Sequence, residues 1–455
     1  MNVSWIGAAN VNGKASSRRE FLKQSGALAA VSAATMSSAI HAHVAGDPTI
    51  RLALIGCGGR GTGAVGDAFS VPNAPVRLYA MADLFPDRLQ ASLKALRTNF
   101  GDRVEVSADR CFIGFDAYQK AIDELRPGDI AILTTHSAFR PLHLEYAVQK
   151  GVHVFMEKSF AVDAPANRRL LKAAEESEKK NLKVGCGFMW RHSKARQALV
   201  ARIRDGALGE VHTLRIYRVH GPVYVPKRAP DHNPIEFQIR AATSFNWVSG
   251  GFFIDWHCHN VDQACWVKDA WPIEAQAMGG RCFPQVGNNF DHYCVEYTFA
   301  DGAKLFAFSR HMNNCWETYA DYVHGANGSA VLMESLAQPK PRIYKSQRME
   351  KSEVVWEYPE PDVNPYHEEW AVLLDAVMND KSHNEAQRAG LANLTALMGR
   401  MAAHTGQRVT WEQAMNSEFQ YVQDIDHLSF DSEPPIQEGP DGVFPCPVPG
   451  ETKEI

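Results

Sequence analysis

Ile50-Arg51-Leu52-Ala53-Leu54-Ile55-Gly56-Cys57-Gly58-Gly59-Arg60-Gly61 decides the fold. A short apolar run of buried-strand type enters a G-x-G-x-x-G loop, Gly56 to Gly61, and a helix-like segment leaves it toward Phe69. Strand, glycine loop and helix in that order are the setting in which the motif binds a dinucleotide. Gly56 permits the tight turn, Gly58 lets the backbone approach a pyrophosphate, and Gly61 lets the helix pack close to the sheet. Gly59 and Arg60 complete the loop, and the helix N-terminus points its positive dipole end at the phosphates. Alone, such a loop could be a glycine-rich turn in another α/β protein. Here Val76 to Ala82 reads as a second strand ending at Asp83, 22 residues after Gly61. An acid there accepts hydrogen bonds from ribose hydroxyls and repels a 2′-phosphate, so NAD is expected over NADP. A strand-end cap is the plainer alternative for Asp83.

Outward from the loop, Asp129 to Leu133 and Val152 to Met156 read as further buried strands, with helical segments between. Strands alternating with helices imply a parallel sheet covered on both faces, which is expected over residues 47–180. Beyond that the pattern changes. A helix from Ser193 to Asp205 leads into alternating strands at Val211–Val219, Asp291–Phe299, Lys304–Ser309 and Tyr319–His324. Asp301-Gly302 is a hairpin signal. Residues 181–429 should therefore form a mostly antiparallel sheet with one face covered by helices near Phe253–Val267, Tyr366–Asp380 and Glu385–His404. From residue 430 six prolines and several acids read as a loose tail.

At the N-terminus, Arg18-Arg19-Glu20-Phe21-Leu22-Lys23 precedes a mild apolar stretch rich in Ala and Ser. Residues 1–46 read as an export leader of twin-arginine type, which would deliver the protein to the periplasm. Ala42 and Ala45 are candidate cleavage positions. Ser, Thr and His interrupt the stretch, so no membrane span is expected after export. The 455 residues carry a net charge of −5, which gives no reason to expect a nucleic-acid partner. The nine cysteines are scattered and include no C-x-x-C, so no disulfide framework is indicated.

Two segments carry chemistry. His153-Val154-Phe155-Met156-Glu157-Lys158 is a strand running into opposite charges. The carboxyl ends of parallel strands face the ligand crevice, which places Lys158 near the nicotinamide end. A surface ion pair of Glu157 and Lys158 is the alternative. In the second, Gly250 to Asp262, the residues Asp255, His259 and Asp262 stand at i, i+4 and i+7 of a helix and share a face. A carboxylate one turn from an imidazole can orient it, and histidine is the natural base for a hydroxyl proton near neutral pH. His257 and Cys258 point elsewhere and suit packing. His257 and His259 are on opposed sides, so no metal site is expected. Trp190, Arg191, Tyr217, Tyr293 and Trp316 are candidate pocket residues, though aromatics on strands commonly belong to the core.

The glycine loop, the strand-end Glu157-Lys158 and Gly250-Gly251…Asp255…His259 together resemble the glucose–fructose oxidoreductase, inositol dehydrogenase and rhizopine catabolism (Gfo/Idh/MocA) family over roughly residues 48–425. The resemblance implies an N-terminal Rossmann domain, a C-terminal domain with a large open sheet, and Lys158, Asp255 and His259 as catalytic set. It puts Thr135 near the cofactor. Ser159 and His136 stand where the family usually has proline. The implied activity is oxidation of a secondary alcohol of a sugar or polyol. His259 removes the hydroxyl proton, Lys158 stabilises the oxygen, Asp255 holds the imidazole, and hydride passes to tightly bound NAD. Glycoside cleavage through transient C3 oxidation, or a non-catalytic sugar-binding protein, are the alternatives. An open sheet face also implies a homo-oligomer, dimer or tetramer.

Overall fold

Six strands form one sheet: β1 (Ile50–Ile55), β2 (Val76–Asp83), β3 (Cys111–Ile113), β4 (Ile130–Leu133), β5 (His153–Met156) and β6 (Val184–Cys186). Their order is β3-β2-β1-β4-β5-β6 and every pairing is parallel. In this computed structural model the described residues are 48–455 apart from 224, 226, 229–232, 284–285 and 335–339. The leader, with Arg18, Arg19, Ala42 and Ala45, lies outside them.

All of β1 except Arg51 is buried, as a central parallel strand requires. The helices α1 (Gly59–Phe69), α2 (Pro86–Phe100), α3 (Ala117–Asp123), α4 (Arg140–Lys150) and α5 (Ala164–Lys179) alternate with the strands. The chain leaves β1 toward β2 on one side and later returns to β4 on the other. That reversal opens a crevice at the carboxyl ends of β1 and β4.

After α6 (Lys194–Arg204) comes a nine-stranded sheet: β7 (Val211–His220), β8 (Glu274–Gly280), β9 (His292–Thr298), β10 (Lys304–His311), β11 (Thr318–Gly325), β12 (Gly328–Met333), β13 (Arg342–Tyr344), β14 (Val354–Glu357) and β15 (Val409–Thr410). Its order is β14-β13-β12-β11-β7-β10-β9-β8-β15. All pairings are antiparallel except β7 with β10. Within the second half come α7 (Pro234–Arg240), α8 (Asn246–Ser249), α9 (Phe252–Lys268), α10 (Pro365–Met378), α11 (Ala386–Thr405) and α12 (Trp411–Asn416). The protein is therefore α/β, a doubly wound parallel sheet followed by a large mixed sheet covered by helices on one face.

α9 lies against β7 and β10, and α11 packs on α9, β8 and α5. The helix α11 thus touches elements of both sheets, and Thr49–Ile455 forms one compact unit. Asn393 on α11 accepts from the Phe160 N–H (3.1 Å) and donates to the Ala161 carbonyl (3.1 Å), tying the segment after Lys158 to this helix.

Residues 430–455 are not a loose tail. Phe444 packs on Phe245 with ring centroids 4.9 Å apart, and Glu454 is buried against Arg400 (3.3 Å), His404 (2.7 Å) and Tyr421 (3.2 Å). Composition suggested a solvated segment, but a few anchors with distant partners dock it. No described helix is long and apolar enough to cross a membrane. The nine cysteines carry no disulfide.

Candidate active site

The glycine loop closes on the strand next door. Gly56 has φ +99°, and a Cβ there would lie 2.7 Å from the Thr135 nitrogen; one on Gly61 would lie 2.1 Å from the Gly56 oxygen. Both positions are closed to any side chain. Among the described residues, Gly58 and Gly59 have no atom within 4 Å of where a Cβ would project. Open space there, beside the N-terminus of α1, is what a phosphate group needs.

Thr134 Oγ1 donates to the Gly56 carbonyl (2.6 Å), locking the loop to the end of β4. Thr135 Oγ1 pairs with His143 Nδ1 (3.1 Å), and the buried Arg140 donates to the carbonyls of Leu133 and Thr135. Asp83 accepts the Cys57 N–H (2.6 Å) through one oxygen and the Phe85 N–H (2.9 Å) through the other. It therefore caps the loop as well as facing the crevice. Burial raises its pKa, against the pull of those two N–H groups.

These residues line a cleft of about 810 Å³ that runs from Asp83 and Arg88 past Gly56–Gly61 and Thr135 to Glu157, Lys158 and Asp255. A cleft this large suits a dinucleotide. Arg60 lines it too, but its guanidinium is engaged by Asp67 and by Glu157 (3.0 Å), and it covers the Tyr366 ring. Arg60 and Glu157 are thus each other's partners. Behind Glu157, burial and the Glu157 charge push the carboxyl of Glu369 well up, and among the described residues both its oxygens lack a hydrogen-bond partner.

At the far end β5 delivers Lys158, whose peptide bond to Ser159 is cis. Lys158 Nζ donates to the Asp255 carbonyl (2.6 Å) and lies 3.7 Å from Asp255 Oδ1. Burial alone would lower its pKa, yet Asp255, Cys258 and Glu157 outweigh that and raise it. The expected pairing of Asp255 with His259 is replaced by this one. Helical spacing put the two side chains on one face of α9, but Lys158, arriving from β5, takes the carboxylate. His259 Nδ1 is buried without a partner among the described residues, and the ring meets Phe188 edge-on at 5.8 Å. Burial, with Lys158, Arg218 and Arg196 nearby, holds His259 well below its ordinary range, which favours the neutral imidazole.

Residues 196–331 match the GFO/IDH/MocA C-terminal domain. The GFO/IDH/MocA match runs from α6 to β12 and so includes Asp255, His259 and α9. No curated protein matches the chain by sequence. Several solved structures share its fold. Aldose-aldose oxidoreductase from Caulobacter crescentus, complexed with glycerol, is 17% identical, with 80% of this chain and 99% of that chain covered and a TM-score of 0.59. The WlbA dehydrogenase from Bordetella pertussis, in complex with NADH and UDP-GlcNAcA, is 17% identical, covering 80% and 98% at 0.60. Apo scyllo-inositol dehydrogenase from Lactobacillus casei is 18% identical, covering 80% and 98% at 0.56.

The remaining candidates separate. Asp262 is buried and pairs with Arg191 (2.8 Å) and Arg388 (3.0 Å), away from His259's chemistry. His257 and Cys258 are buried in packing positions, and Tyr293 is in the core. Tyr217 and Trp316 meet on the open face of the second sheet, ring centroids 6.4 Å apart. Trp190 donates to Tyr319 Oη (3.2 Å) beside the site. Cys282, Asp291 and His292 form the one metal-type group among the described residues. There Asp291 accepts the N–H groups of Cys282 (2.8 Å) and Phe283 (3.1 Å) and pairs with His292 (2.8 Å), a clamp on the turn before β9. Sequence reading missed Thr134, Arg140 and Glu369. Two adjacent threonines ending a strand were a signal; Arg140 and Glu369 had none.

Proposed function

We propose that the chain is an oxidoreductase acting on a secondary alcohol of a sugar or polyol, with NAD held tightly in the cleft and NADP the poorer fit. The observation that carries this is the meeting of Lys158 with the Asp255–His259 segment of α9 at one end of a cleft whose middle is the glycine loop. Gly58 and Gly59 leave room for the pyrophosphate, and Asp83 retains lone pairs for the ribose hydroxyls. The NADH in the similar Bordetella pertussis dehydrogenase supports a nicotinamide. A bound nicotinamide supplies the two-electron redox chemistry. The chain's own residues handle the proton and the oxygen. Lys158, kept charged by Asp255, donates to the substrate oxygen and stabilises its developing negative charge. Neutral His259 accepts the hydroxyl proton. The test is a mass and absorbance spectrum of the purified full chain, then exposure to a panel of sugars and polyols. A bound dinucleotide reduced by one of them is expected. Release of an aglycone from glycosides without net reduction would favour the cleavage route instead.

The open face of the second sheet carries Met278 and Trp316, 76% and 67% exposed, beside the stacked pair Tyr217 and Phe308. We infer a homo-oligomer, dimer or tetramer, that covers this face. A single-chain mass by light scattering at micromolar concentration would count against it. Export to the periplasm on the Arg18-Arg19 signal belongs to the same proposal, and would require a cofactor folded in beforehand. Arg18→Lys with Arg19→Lys is expected to keep the protein in the cytoplasm.

A further inference from the structure

A sheet face covered by a helix is ordinarily apolar, and beneath α9 Leu214, Ile216, Leu305 and Ala307 keep to that rule; the row at Arg218 does not. Arg218 on β7 stands in register with Ser309 on β10 and with Tyr319 on β11. The Arg218 guanidinium lies 4.0 Å from the centroid of the Tyr319 ring and 5.1 Å from that of Trp256. Lys158 Nζ lies 5.6 Å from the same indole. The two cations thus flank one ring, three residues before His259 on α9.

Their charges are balanced differently. Lys158 has Asp255 as its counter-ion. Arg218 has none: among the described residues it makes no ion pair or hydrogen bond, and its Nε is buried without a partner. Asp321, the acid on that face, accepts from Asn260 (2.7 Å) and Gln263 (3.0 Å), and the Arg218 charge acts on it through space without an ion pair. Around Arg218 are further donors without acceptors. Ser309 Oγ is buried and unpartnered among the described residues, and Tyr319 Oη accepts from Trp190, leaving its own O–H to give. One residue row further, His220 and His311 pair in register, and neither brings negative charge. A partly buried guanidinium gains from a paired anion, and this group of donors offers one its hydrogen bonds.

We propose that Arg218, with Ser309 and Tyr319 beside it, seats the carboxylate of an acidic sugar, an aldonate or uronate, whose alcohol is presented to Lys158 and His259. This rests on the oxidoreductase reading above and narrows its substrate class. A single guanidinium fork matches a carboxylate in geometry, and its one uncompensated charge matches one negative charge better than a phosphate dianion.

The experiment is calorimetric titration of the cofactor-loaded full chain with D-glucuronate, D-gluconate, D-glucose and D-glucose 6-phosphate. An acid is expected to bind more tightly than glucose. Arg218→Met should weaken that acid about 100-fold and collapse the acid-to-neutral preference, and Arg218→Lys should restore part of it. A structural role for Arg218 would weaken acid and neutral sugar alike, and that result overturns the proposal. So does glucose binding as tightly as either acid, or the 6-phosphate binding more tightly than both. Because the readout is binding, failures separate. Arg218-dependent acid binding with no substrate able to reduce the cofactor removes the oxidoreductase reading and leaves this site. Reduction by neutral sugars without acid binding does the reverse.

Discussion

Lys158 Nζ donates to the backbone carbonyl of Asp255 at 2.6 Å and has that residue's carboxylate 3.7 Å away. One residue from the first sheet is thereby joined to the helix that carries His259. Lys158→Ala should lower single-turnover cofactor reduction by about 10²–10³-fold, and His259→Ala by about 10²–10⁴-fold. The double variant should lose less than the product, since both groups act on one oxygen. Cofactor binding should survive in each. The near-ultraviolet absorbance of the reduced nicotinamide reports the rate. Parental speed in His259→Ala would make it a structural residue.

The pH profile should follow from the same contacts. His259 must be unprotonated to act as base, and burial with nearby cations holds it well below its ordinary 6.5. Activity should therefore persist as pH falls through 6.5, with the acid limb of kcat/KM lying lower. Lys158 must stay charged, and Asp255 raises its pKa. Asp255→Asn should move the alkaline limb to lower pH. An acid limb at or above 6.5 in the parent would contradict the first statement; an unmoved alkaline limb in Asp255→Asn would contradict the second.

Asp83 and Arg88 line one end of the cleft, and the proposed preference for NAD rests on them. With Asp83 present, a 2′-phosphate meets a carboxylate. Asp83→Ser removes it and leaves Arg88 able to pair with the phosphate, so NADP affinity should rise about ten- to hundredfold relative to NAD. Adding Arg88→Ala should cancel the gain. Fluorescence titration with both cofactors measures it, and tighter NADP binding by the parent would refute the role given to Asp83.

The C-terminal segment is part of the scaffold. Arg400 pairs with Glu454 and also donates to the Gly250 carbonyl (3.3 Å), at the start of the site helix. Burial would raise the Glu454 carboxyl, but Arg400 and the hydrogen bonds of His404 and Tyr421 outweigh it and hold it at about 2. Glu454→Gln should cost about 3–5 kcal/mol in urea unfolding, the usual result of breaking a buried pair. Because the folded pKa is depressed, this contribution is full above about 4.3, the unfolded value. It is lost as pH falls toward about 2, where parent and variant should converge. A variant of parental stability at neutral pH would mean the contact carries nothing.

The first sheet was legible because its signals are local. Buried strands of the β1 type read as apolar runs, and the glycine loop reads from backbone sterics that involve only near neighbours. The failures were partnerships. Helical spacing points Asp255 to His259, and composition points the segment from residue 430 to solvent, but in neither case does the sequence state which distant group arrives.

Sequence alone thus determined the strand–loop–helix that frames the crevice, the acid at Asp83, the strand-end Lys158 and the shared face of Asp255 and His259. Periodicity and glycine chemistry are properties of a few consecutive residues. Tertiary structure alone decided that Lys158 meets Asp255 across 97 positions, that Arg218 makes no ion pair among the described residues, and that Glu454 closes on Arg400. Charge pairing depends on which side chains packing brings within a few ångströms, and here that is set by α9 and α11 lying against elements of both sheets.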